Sequence, residues 1–367
     1  MIKAAIIGCG RIASLFEDDG FRQHPCTHAG AYDFLSKNSV LINNIPVKIV
    51  AASDIDKNSL ERFSKRWNAP NVYGDYKKML KKEDIDVLSV CTHPDTHKEA
   101  VINAAKAVKK GKNIRSIFCE KPIANSLADA KKMVDICRKN NIRLTINHTR
   151  RWYPACVKAK QLIEGREIGD IVSIRGNYNS GLMLMGTHMA DLFRYFIVNT
   201  GISDVESVIG TEEKTENSGK DADGIKLAYS ENFDAEDAPV SGMIFFRNGI
   251  AGHIDASCRR KYLIFEVIID GTEGRIMING NGADLQLYKT KKTANWLELD
   301  RKGLKDIWPE EERSKNAFVE AVKEAAGLSI GGSDPRKSSS SGEDGLECLK
   351  ILLALKKSAK TGKRVFL

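Results

Sequence analysis

The segment Gly8-Cys9-Gly10-Arg11-Ile12-Ala13 has the residue types and the spacing that bind a dinucleotide. It follows a short apolar run, residues 3–7, and opens a stretch of helical character. Gly8 allows a tight turn, Gly10 lets the backbone approach a pyrophosphate, and Ala13 keeps strand and helix close together. The N–H groups at the start of the helix suit phosphates. Because the motif alone is a weak signal, a glycine turn that binds no nucleotide is the alternative.

A carboxylate at the end of the second predicted strand is the next signal. Asp54 follows the apolar residues 47–53, where it could accept hydrogen bonds from the hydroxyl groups of an adenosine ribose. A carboxylate at this position repels a 2′-phosphate, and Asp56 adds to the repulsion. The pattern therefore favours NAD as cofactor over NADP.

The spacing between the glycines and Asp54 is unusual. Asp54 lies 44 positions after Gly10, whereas about 20 positions are typical of the motif. We interpret residues 16–45 as holding a loop inserted into the first crossover, after which the helix resumes near Thr27 or His28. Such a loop would lie near the cofactor cleft. Two alternatives are open: the loop has a function at the cleft, or it is a surface loop without a function.

Lys121 is the residue best placed for chemistry on a bound substrate. It stands in Glu120-Lys121-Pro122, directly after the apolar residues 114–119. Pro122 disfavours the helical region for its predecessor, which fixes Lys121 at the carboxyl end of a strand. Ligands of open α/β sheets bind at those strand ends. A solvated surface lysine is the alternative if the segment is considered alone.

The elements around these residues alternate between strand and helix. Strands are predicted at residues 3–7, 47–53, 85–91, 114–119 and 142–147, and helices at 57–67, 96–110 and 126–140. This alternation predicts a doubly wound parallel sheet of the Rossmann type, an α/β domain covered on both faces. We place this NAD-binding domain at residues 1–148.

A different pattern follows, which predicts an α+β domain at residues 149–367 with a large, mostly antiparallel open sheet. Asn248-Gly249 predicts a two-residue hairpin turn with positive φ at both positions. A helix is expected from Pro309 to near Gly327, a loop from Gly331 to Gly342, and a last helix capped by Ser341. The other elements are helices at 154–164, 187–196 and 344–357 and strands at 171–178, 205–210, 225–229, 240–246, 250–257, 265–270 and 275–278.

Composition restricts the class of protein. The 367 residues exceed one hydrophobic core, and no apolar stretch reaches the length of a membrane span. The net charge of +9 comes from dispersed lysines without interleaved aromatic residues, which indicates a solvated surface and not a nucleic-acid site. Eight scattered cysteines without a Cys-x-x-Cys pair indicate reduced thiols in the cytoplasm. His93 and His97 have the i, i+4 spacing of a metal-binding pair on a helix, but Pro94 between them favours a turn and no third ligand is indicated, so we expect no metal site.

Several of these segments, in their order and spacing, resemble the Gfo/Idh/MocA family of oxidoreductases, which includes inositol and glucose–fructose-type dehydrogenases. The resemblance covers nearly the full length. Besides residues 8–13 it rests on Thr92-His93-Pro94-Asp95-Thr96-His97, Glu120-Lys121-Pro122-Ile123-Ala124, Asn147-His148-Thr149-Arg150-Arg151-Trp152, Gly186-Thr187-His188-Met189-Ala190-Asp191 and Ser358-Ala359-Lys360-Thr361-Gly362-Lys363-Arg364-Val365.

The resemblance implies roles for individual residues. Lys121 would polarise the substrate oxygen, and His188 would be the acid–base group, because an imidazole can gain or lose a proton near neutral pH. Asp191 would orient His188 or bind a sugar hydroxyl. Arg151 and Trp152 would bind substrate, or would serve a structural role at the junction of the domains. The implied cofactor contacts are Gly8, Gly10, Arg11, Ile12, Ala13, Asp54, Thr92, Pro94, His97, Glu120 and Lys121.

Two positions depart from the family pattern. Many members have an aspartate four residues before the histidine, where this chain has Leu184 in an apolar run. Catalysis would then rest on Lys121 and His188, or the substrate would be unusual. His93 stands where proline is frequent, and we interpret its segment as lining on the nicotinamide side with Pro94 shaping a loop.

These observations favour an NAD-dependent dehydrogenase that moves a hydride between nicotinamide and a secondary alcohol or ketone of a cyclic polyol, a sugar or a nucleotide-activated sugar. Two alternatives are a glycoside hydrolase that recycles its NAD and a non-catalytic dinucleotide-binding sensor. Apolar strands such as residues 265–269 would be exposed on an open sheet, so we expect a homodimer or homotetramer. Neither a nucleic acid nor a membrane is expected as partner.

Overall fold

The computed structural model describes residues 1–197, 204–213, 237–260, 262–304, 307–330 and 338–367. The chain forms two compact units. The first comprises Met1–Trp152 and Asn316–Leu349, and the second comprises Tyr153–Lys315 and Lys350–Leu367. None of the helices in the described ranges has the length and apolar character needed to cross a membrane.

The first unit holds a parallel sheet that, over the described residues, has six strands in the order β3-β2-β1-β4-β5-β6. The order reverses between β1 and β4, and parallel sheets of this kind bind ligands outside the carboxyl ends of the strands at that reversal. The predicted Rossmann fold is therefore confirmed. The strands are β1 (Ile2–Ile7), β2 (Val47–Ser53), β3 (Asn71–Tyr73), β4 (Val87–Val90), β5 (Ser116–Cys119) and β6 (Arg143–Ile146).

Helices connect these strands, and several begin at a capping side chain. Thr27, Asp56, Asp75 and Ser126 each accept a hydrogen bond from a backbone N–H in the first turn of the helix that follows. The helices are α1 (His28–Lys37), α2 (Lys57–Trp67), α3 (Tyr76–Lys82), α4 (Pro94–Lys109), α5 (Leu127–Lys139) and, later in the chain, α9 (Ala317–Gly327).

The first crossover contains the predicted insertion. After Gly10 the chain makes only short turns, ending in a 3-10 turn at Leu15–Asp18, and α1 begins at His28. The N–H groups of His28 and Ala29 donate to the carbonyl oxygens of Ile12 and Ala13 at 3.1 and 3.0 Å. The helix thus resumes where it was interrupted, as predicted, and residues 16–26 form the loop that we call the insertion loop.

Glu17 holds the insertion loop together. Its carboxylate accepts hydrogen bonds from His24 Nδ1 at 2.6 Å, from the Cys26 N–H at 2.7 Å and from the Thr27 hydroxyl at 2.8 Å. A side chain at position 30 would displace the Glu17 carboxylate, because a Cβ there would lie 2.2 Å from Glu17 Oε1. The loop is therefore attached to the first turn of α1 by a single carboxylate.

The second unit is an α+β domain, as predicted. Over the described residues its sheet has nine strands in the order β14-β13-β12-β11-β7-β10-β9-β8-β15, and only β7 and β10 pair in parallel. The elements are α6 (Pro154–Glu164), β7 (Ile171–Tyr178), α7 (Thr187–Ile197), β8 (Val205–Glu212), β9 (Val240–Phe246), β10 (Ala251–Ala256), β11 (Phe265–Gly271), β12 (Gly274–Asn279), β13 (Asp284–Lys292), β14 (Leu297–Lys302), α8 (Glu310–Arg313) and β15 (Val365–Phe366).

The structure corrects several boundaries. The turn at residues 247–249 has three residues, with the Phe246 N–H bonded to the Ile250 carbonyl and positive φ at Gly249 alone of the pair. The predicted helix from Pro309 is divided into α8 and α9, because Asn316 caps a new start. Strands β3, β13, β14 and β15 and helix α3 were not predicted. The predicted strand at 225–229 and most of the loop at 331–342 lie outside the described residues.

The units also divide the chain differently from the predicted boundary after residue 148. The first unit ends at Trp152 and includes Asn316–Leu349, which the sequence placed in the second domain. The reason is packing, since α9 lies against α1 and β5. The last helix, α10 (Gly342–Thr361), is longer than predicted. Ser341 caps it as expected, because its hydroxyl accepts from the Asp344 N–H at 3.1 Å.

Candidate active site

The glycine turn after β1 fits a dinucleotide. Gly8 has φ +88°, and a Cβ at this position would lie 2.9 Å from the carbonyl carbon and oxygen of Cys91. Gly10, in contrast, faces open space, because no atom lies within 4 Å of the position of a Cβ. The turn is thus closed toward the sheet and open on the side where a phosphate group would lie. Arg11 is exposed, Ile12 is half-buried and Ala13 is fully buried.

Asp54 lies directly after β2 and is tied to the glycine turn. Its Oδ2 accepts a hydrogen bond from the Cys9 N–H at 2.6 Å, and its Oδ1 accepts from the Asp56 N–H at 2.8 Å. Asp56 caps α2, and hydrogen bonds from the Ser59 hydroxyl and backbone lower the pKa of its carboxyl. Two carboxylates therefore follow β2, which is the arrangement that disfavours a 2′-phosphate.

Lys121 follows β5 and is half-buried. The side chain of the preceding residue, Glu120, turns back and accepts a hydrogen bond from the Lys121 N–H at 3.3 Å. Its other oxygen accepts from His28 Nε2 at 2.8 Å and from Asn147 Nδ2 at 2.7 Å. These donors come from α1 and from the residue after β6. The neighbours of Lys121 are thus fixed by side chains that are remote in the sequence.

Glu120 is charged although it is buried. Burial by itself would raise the pKa of its carboxyl, but the hydrogen bond and charge of His28, the Asn147 amide and the Lys121 ammonium outweigh burial, and the pKa lies below its ordinary value. A buried carboxylate with this many donors is a fixed negative charge. That charge lies next to the residue proposed to bind the substrate oxygen.

His97, which is predicted as a cofactor contact, has its ring nitrogens directed at backbone carbonyls of the first unit. Its side chain is completely buried in the first turn of α4, where Pro94 occupies the first helical position. Its Nε2 lies 2.9 Å from the Thr92 carbonyl oxygen, and its Nδ1 lies 3.2 Å from the Pro122 carbonyl oxygen. The ring therefore joins the segment after β4 to the segment after β5, and burial lowers the pKa of the imidazole.

Arg151 and Trp152, which are predicted to bind substrate or to join the domains, are both buried and have hydrogen-bond partners within the first unit. The Arg151 side chain is 0% exposed, and it donates to the Ser339 carbonyl at 2.6 Å and pairs with Asp344 at 3.1 Å. Trp152 is buried, and its Nε1 donates to Glu324 Oε2 at 2.9 Å. Both side chains join residues 149–152 to the later part of the first unit.

His188 and Asp191 lie on α7 in the second unit, His188 half-buried and Asp191 fully buried. A five-residue π-helical segment, Leu182–Gly186, leads directly into α7. A residue that the sequence did not identify stands at the start of this segment. The Asp237 carboxylate accepts from the N–H groups of Met183 and Leu184 at 2.7 and 2.9 Å. Asp237 thus caps the π-helical segment that leads into α7, the helix that carries His188.

The structure brings the predicted residues of the first unit to one edge of the sheet. The glycine turn follows β1, Asp54 follows β2, Thr92 and Pro94 follow β4, and Glu120 and Lys121 follow β5. His28 and Asn147 join them through Glu120, and neither was predicted as a site residue. Their one signal in the sequence is position, since His28 starts a helix and Asn147 ends a strand.

The first unit also brings together three residues of a kind that can bind metals. The carboxylate oxygen of Glu17, a ring nitrogen of His24 and the sulfur of Cys26 lie within 4.8 Å of one another. Glu17 Oε2 and His24 Nδ1 are hydrogen-bonded to each other, and the Cys26 sulfur donates to the Phe16 carbonyl oxygen at 3.1 Å. In this structure the three residues hold the insertion loop in place.

Comparison with known proteins gives a family. Residues 2–148 match the family model described as the Gfo/Idh/MocA oxidoreductase family with an NAD-binding Rossmann fold. Levoglucosan dehydrogenase of Pseudarthrobacter phenanthrenivorans is 30% identical over 296 residues, which are 72% of this chain and 72% of that protein. Myo-inositol 2-dehydrogenase of Thermotoga maritima is 26% identical over 338 residues, 86% of this chain and 90% of that protein.

The fold of the whole chain is also known. A solved structure of levoglucosan dehydrogenase in complex with NADH superposes with a TM-score of 0.77 and 21% identity, and the match covers 100% of this chain and 98% of that one. Both domains of the chain therefore have the folds of this oxidoreductase.

Proposed function

Since the chain belongs to the Gfo/Idh/MocA family of NAD-binding oxidoreductases, we propose that it is an NAD-dependent dehydrogenase acting on a secondary alcohol or ketone of a sugar, a cyclic polyol or a nucleotide-activated sugar. The observation that carries the proposal is the position of Lys121. It follows β5 at the same edge of the sheet as the glycine turn after β1. An ammonium group at this edge is suited to bind a substrate oxygen beside a dinucleotide.

The names of the relatives support the substrate class. Levoglucosan and myo-inositol, which appear in the names of the two relatives, are both rings that carry several secondary hydroxyl groups. The eight cysteines, scattered along the sequence without a Cys-x-x-Cys pair, fit an enzyme of the reducing cytoplasm. Asp54 and Asp56 after β2 support NAD over NADP.

The glycine turn and Asp54 would hold the dinucleotide, which supplies the acceptor for the hydride when it is bound. Lys121 donates a hydrogen bond to the substrate hydroxyl oxygen and stabilises the negative charge that develops there as the O–H bond weakens. His188 accepts the hydroxyl proton on its imidazole. The two electrons of the C–H bond leave as hydride, and the carbon–oxygen bond becomes a carbonyl. In the reducing direction His188 returns the proton.

The test is to measure the turnover of a panel of sugars, polyols and nucleotide-activated sugars with NAD. The absorbance of reduced nicotinamide reports the turnover. We expect Lys121→Met to lower kcat roughly 10²–10³-fold on the best compound of the panel. Affinity for NAD, measured by calorimetry, should stay within about twofold, because Lys121 is assigned to the substrate. Lys98→Met is the matched control, since Lys98 pairs with Asp129 on the surface of α4 and α5.

Full activity of Lys121→Met would overturn the assignment. A wild-type protein that cleaves a glycoside without net formation of reduced nicotinamide would be a hydrolase that recycles its NAD. Saturable NAD binding with no turnover of any compound would indicate a sensor.

We also propose that the protein is a dimer or tetramer. Along the strands of the second sheet, buried residues alternate with residues that point to the opposite face. That opposite face carries half-buried apolar residues, among them Met243, Phe245, Ile268 and Met277. A second copy would cover them. Light scattering at micromolar concentration tests this, and a monomer would contradict it.

A further inference from the structure

His28 is a buried histidine outside the residues assigned to cofactor or substrate. Its side chain is 0% exposed. The ring lies between two aromatic rings, with its centroid 4.7 Å from that of Phe118 on β5 and 5.4 Å from that of Phe318 on α9. Burying an imidazole costs free energy unless both ring nitrogens have partners. The position therefore demands a specific set of hydrogen bonds.

Both nitrogens of His28 have such partners. Nε2 lies 2.8 Å from Glu120 Oε1, and Nδ1 lies 3.1 Å from the hydroxyl oxygen of Ser89. A carboxylate can only accept, so Nε2 carries a proton and donates it to Glu120. Ser89 in turn lies 3.2 Å from the hydroxyl of Tyr32. A continuous series of hydrogen bonds therefore runs from Tyr32 to the Glu120 carboxylate.

The orientation of Glu120 is fixed from a second side. Asn147 Nδ2 donates to the same oxygen that His28 contacts, and the Thr149 hydroxyl donates to Asn147 Oδ1 at 2.8 Å. The Thr149 contact determines which way the Asn147 amide points. With Oε1 held by His28 and Asn147, Oε2 is left to accept from the Lys121 N–H. The carboxylate therefore connects His28 to the backbone of Lys121.

His28 itself is fixed by the insertion loop. The loop ends two residues before it, and Thr27, which caps α1, donates its hydroxyl to Glu17 of the loop. The His28 N–H is bonded to the Ile12 carbonyl, two residues after Gly10. The segment that sets His28 is therefore continuous with the glycine turn.

We propose that His28 is a positioning residue of the reaction, which acts through Glu120 to fix the backbone from which Lys121 presents its ammonium group to the substrate. The proposal rests on the proposed function of Lys121. It also gives the insertion loop a role, because the loop delivers His28 to the sheet edge. His28 contacts neither substrate nor cofactor in this assignment.

Two substitutions of nearly equal polarity separate the contacts of His28. The amide nitrogen of His28→Gln can occupy the place of Nε2 and donate to Glu120. The amide nitrogen of the shorter His28→Asn reaches only the place of Nδ1, near Ser89. Tyr32→Phe is the control, because it removes a hydroxyl from the same network without a contact to Glu120. The three variants are compared as full-length proteins with the wild type.

The first measurement uses the best compound of the panel and NAD. We expect His28→Asn to lower kcat roughly 10²-fold, because small displacements of a reacting group have effects of this size, with the KM for NAD unchanged. His28→Gln and Tyr32→Phe should stay within about threefold of wild type, since both keep the donor to Glu120.

The second measurement is the pH profile of kcat/KM. Loss of the His28 donor lets burial raise the pKa of Glu120, so the acidic limb should move to higher pH in His28→Asn and return in His28→Gln. A loss of folded protein alone would lower the profile without moving it. The titratable groups that interact with Glu120 in the described residues are His28, His97, Lys121, Cys91 and Cys119.

The third measurement needs no turnover. Amide hydrogen exchange in peptides that contain Lys121 should be about tenfold faster in His28→Asn than in His28→Gln, because one hydrogen bond of the carboxylate is lost. Equal exchange and equal kinetics in the two variants would overturn the proposal. A wild type without turnover would instead speak against the proposed function, and the exchange of Lys121 would still decide the role of His28.

Discussion

The two segments that carry the proposed catalytic residues are both fixed by a carboxylate, but in opposite ways. Before Lys121 the carboxylate is local, on Glu120, and its donors are remote, with His28 92 positions away and Asn147 27 positions away. Before His188 the donors are local, on the N–H groups of Met183 and Leu184, and the carboxylate of Asp237 is remote, 54 and 53 positions away.

This difference predicts different consequences. The charge of Glu120 lies next to the proposed catalytic ammonium and is buried, so a change there alters both stability and chemistry. The contacts of Asp237 described here are with backbone N–H groups at the start of a helical segment, so a change there should act mainly on the formation of that segment. Substitutions of the two carboxylates test the comparison.

The largest effect is expected for Glu120→Gln. The NH2 group of the new glutamine would face His28, Asn147 or the Lys121 N–H, which are themselves donors. At least one of these donors would then lose its acceptor. We expect the free energy of unfolding of the first unit to fall by about 2–4 kcal/mol. Thermal unfolding followed by calorimetry measures it. Glu99→Gln on the exposed face of α4 is the control, and equal effects of the two substitutions would refute the special role of Glu120.

The same variant has a pH dependence with a fixed sign. The pKa of Glu120 in the folded protein is held below its ordinary value of 4.5. The stabilisation by its charge is therefore fully present above that value and is lost as the pH falls through the lower, folded-state pKa. The difference in stability between wild type and Glu120→Gln should shrink below pH 4.5. A difference that stays constant would show that the ionised form is not the stabilising one.

An intermediate effect is expected for Asp237→Ala. Loss of the cap on Leu182–Gly186 should cost about 1–2 kcal/mol and speed hydrogen exchange in residues 182–190. Asp255→Ala is the matched control, because Asp255 is an exposed aspartate of the same unit that pairs with Arg260. If exchange rises as much in the control variant, Asp237 does not act as a cap.

The smallest effect is expected for Glu17→Gln, which keeps an acceptor for Cys26 and Thr27 but loses the ion pair with His24. The hydrogen bond of Glu17 raises the pKa of His24 above its ordinary 6.5. In the variant this pKa should return toward 6.5, which NMR titration of the histidine ring measures.

The effect of this ion pair on stability should be present at low pH and lost as the pH rises through the folded-state pKa of His24, because the raised pKa stabilises the protonated form. Wild type and Glu17→Gln should therefore differ more at pH 6 than at pH 9, by the urea midpoint. An unchanged titration of His24 would mean that Glu17 does not determine it.

Much of the fold could be predicted from local patterns. The parallel strands are continuous apolar runs, and the glycine turn, Asp54 and Lys121 each stand directly after one of them, so their common sheet edge follows from topology alone. Strands β13 and β14 were missed because Lys289, Lys291, Lys292 and the residues of β14 are mostly charged or exposed, without a long apolar run. The local pattern is weak where a strand lies at a sheet edge.

The networks of the site could not be predicted, because they depend on pairing across long stretches of chain. Nothing near Glu120 in the sequence indicates His28, and nothing near Leu184 indicates Asp237. The side chains of Arg151 and His97 were assigned to ligands because polar residues in family motifs are expected at a cleft. Both side chains are completely buried, which no local pattern reports, and carbonyl oxygens of the protein lie within hydrogen-bond distance of both.

Cys9, between the two glycines of the glycine turn, shows how burial beside a carboxylate lowers the reactivity of a thiol. Burial, followed by the charge of Asp54, raises the pKa of its thiol far above the ordinary value. The sulfur therefore keeps its proton at neutral pH and is a poor nucleophile. Electrophilic fragments and peroxide should therefore react slowly with Cys9, so an inhibitor that binds at this turn has to rely on reversible contacts.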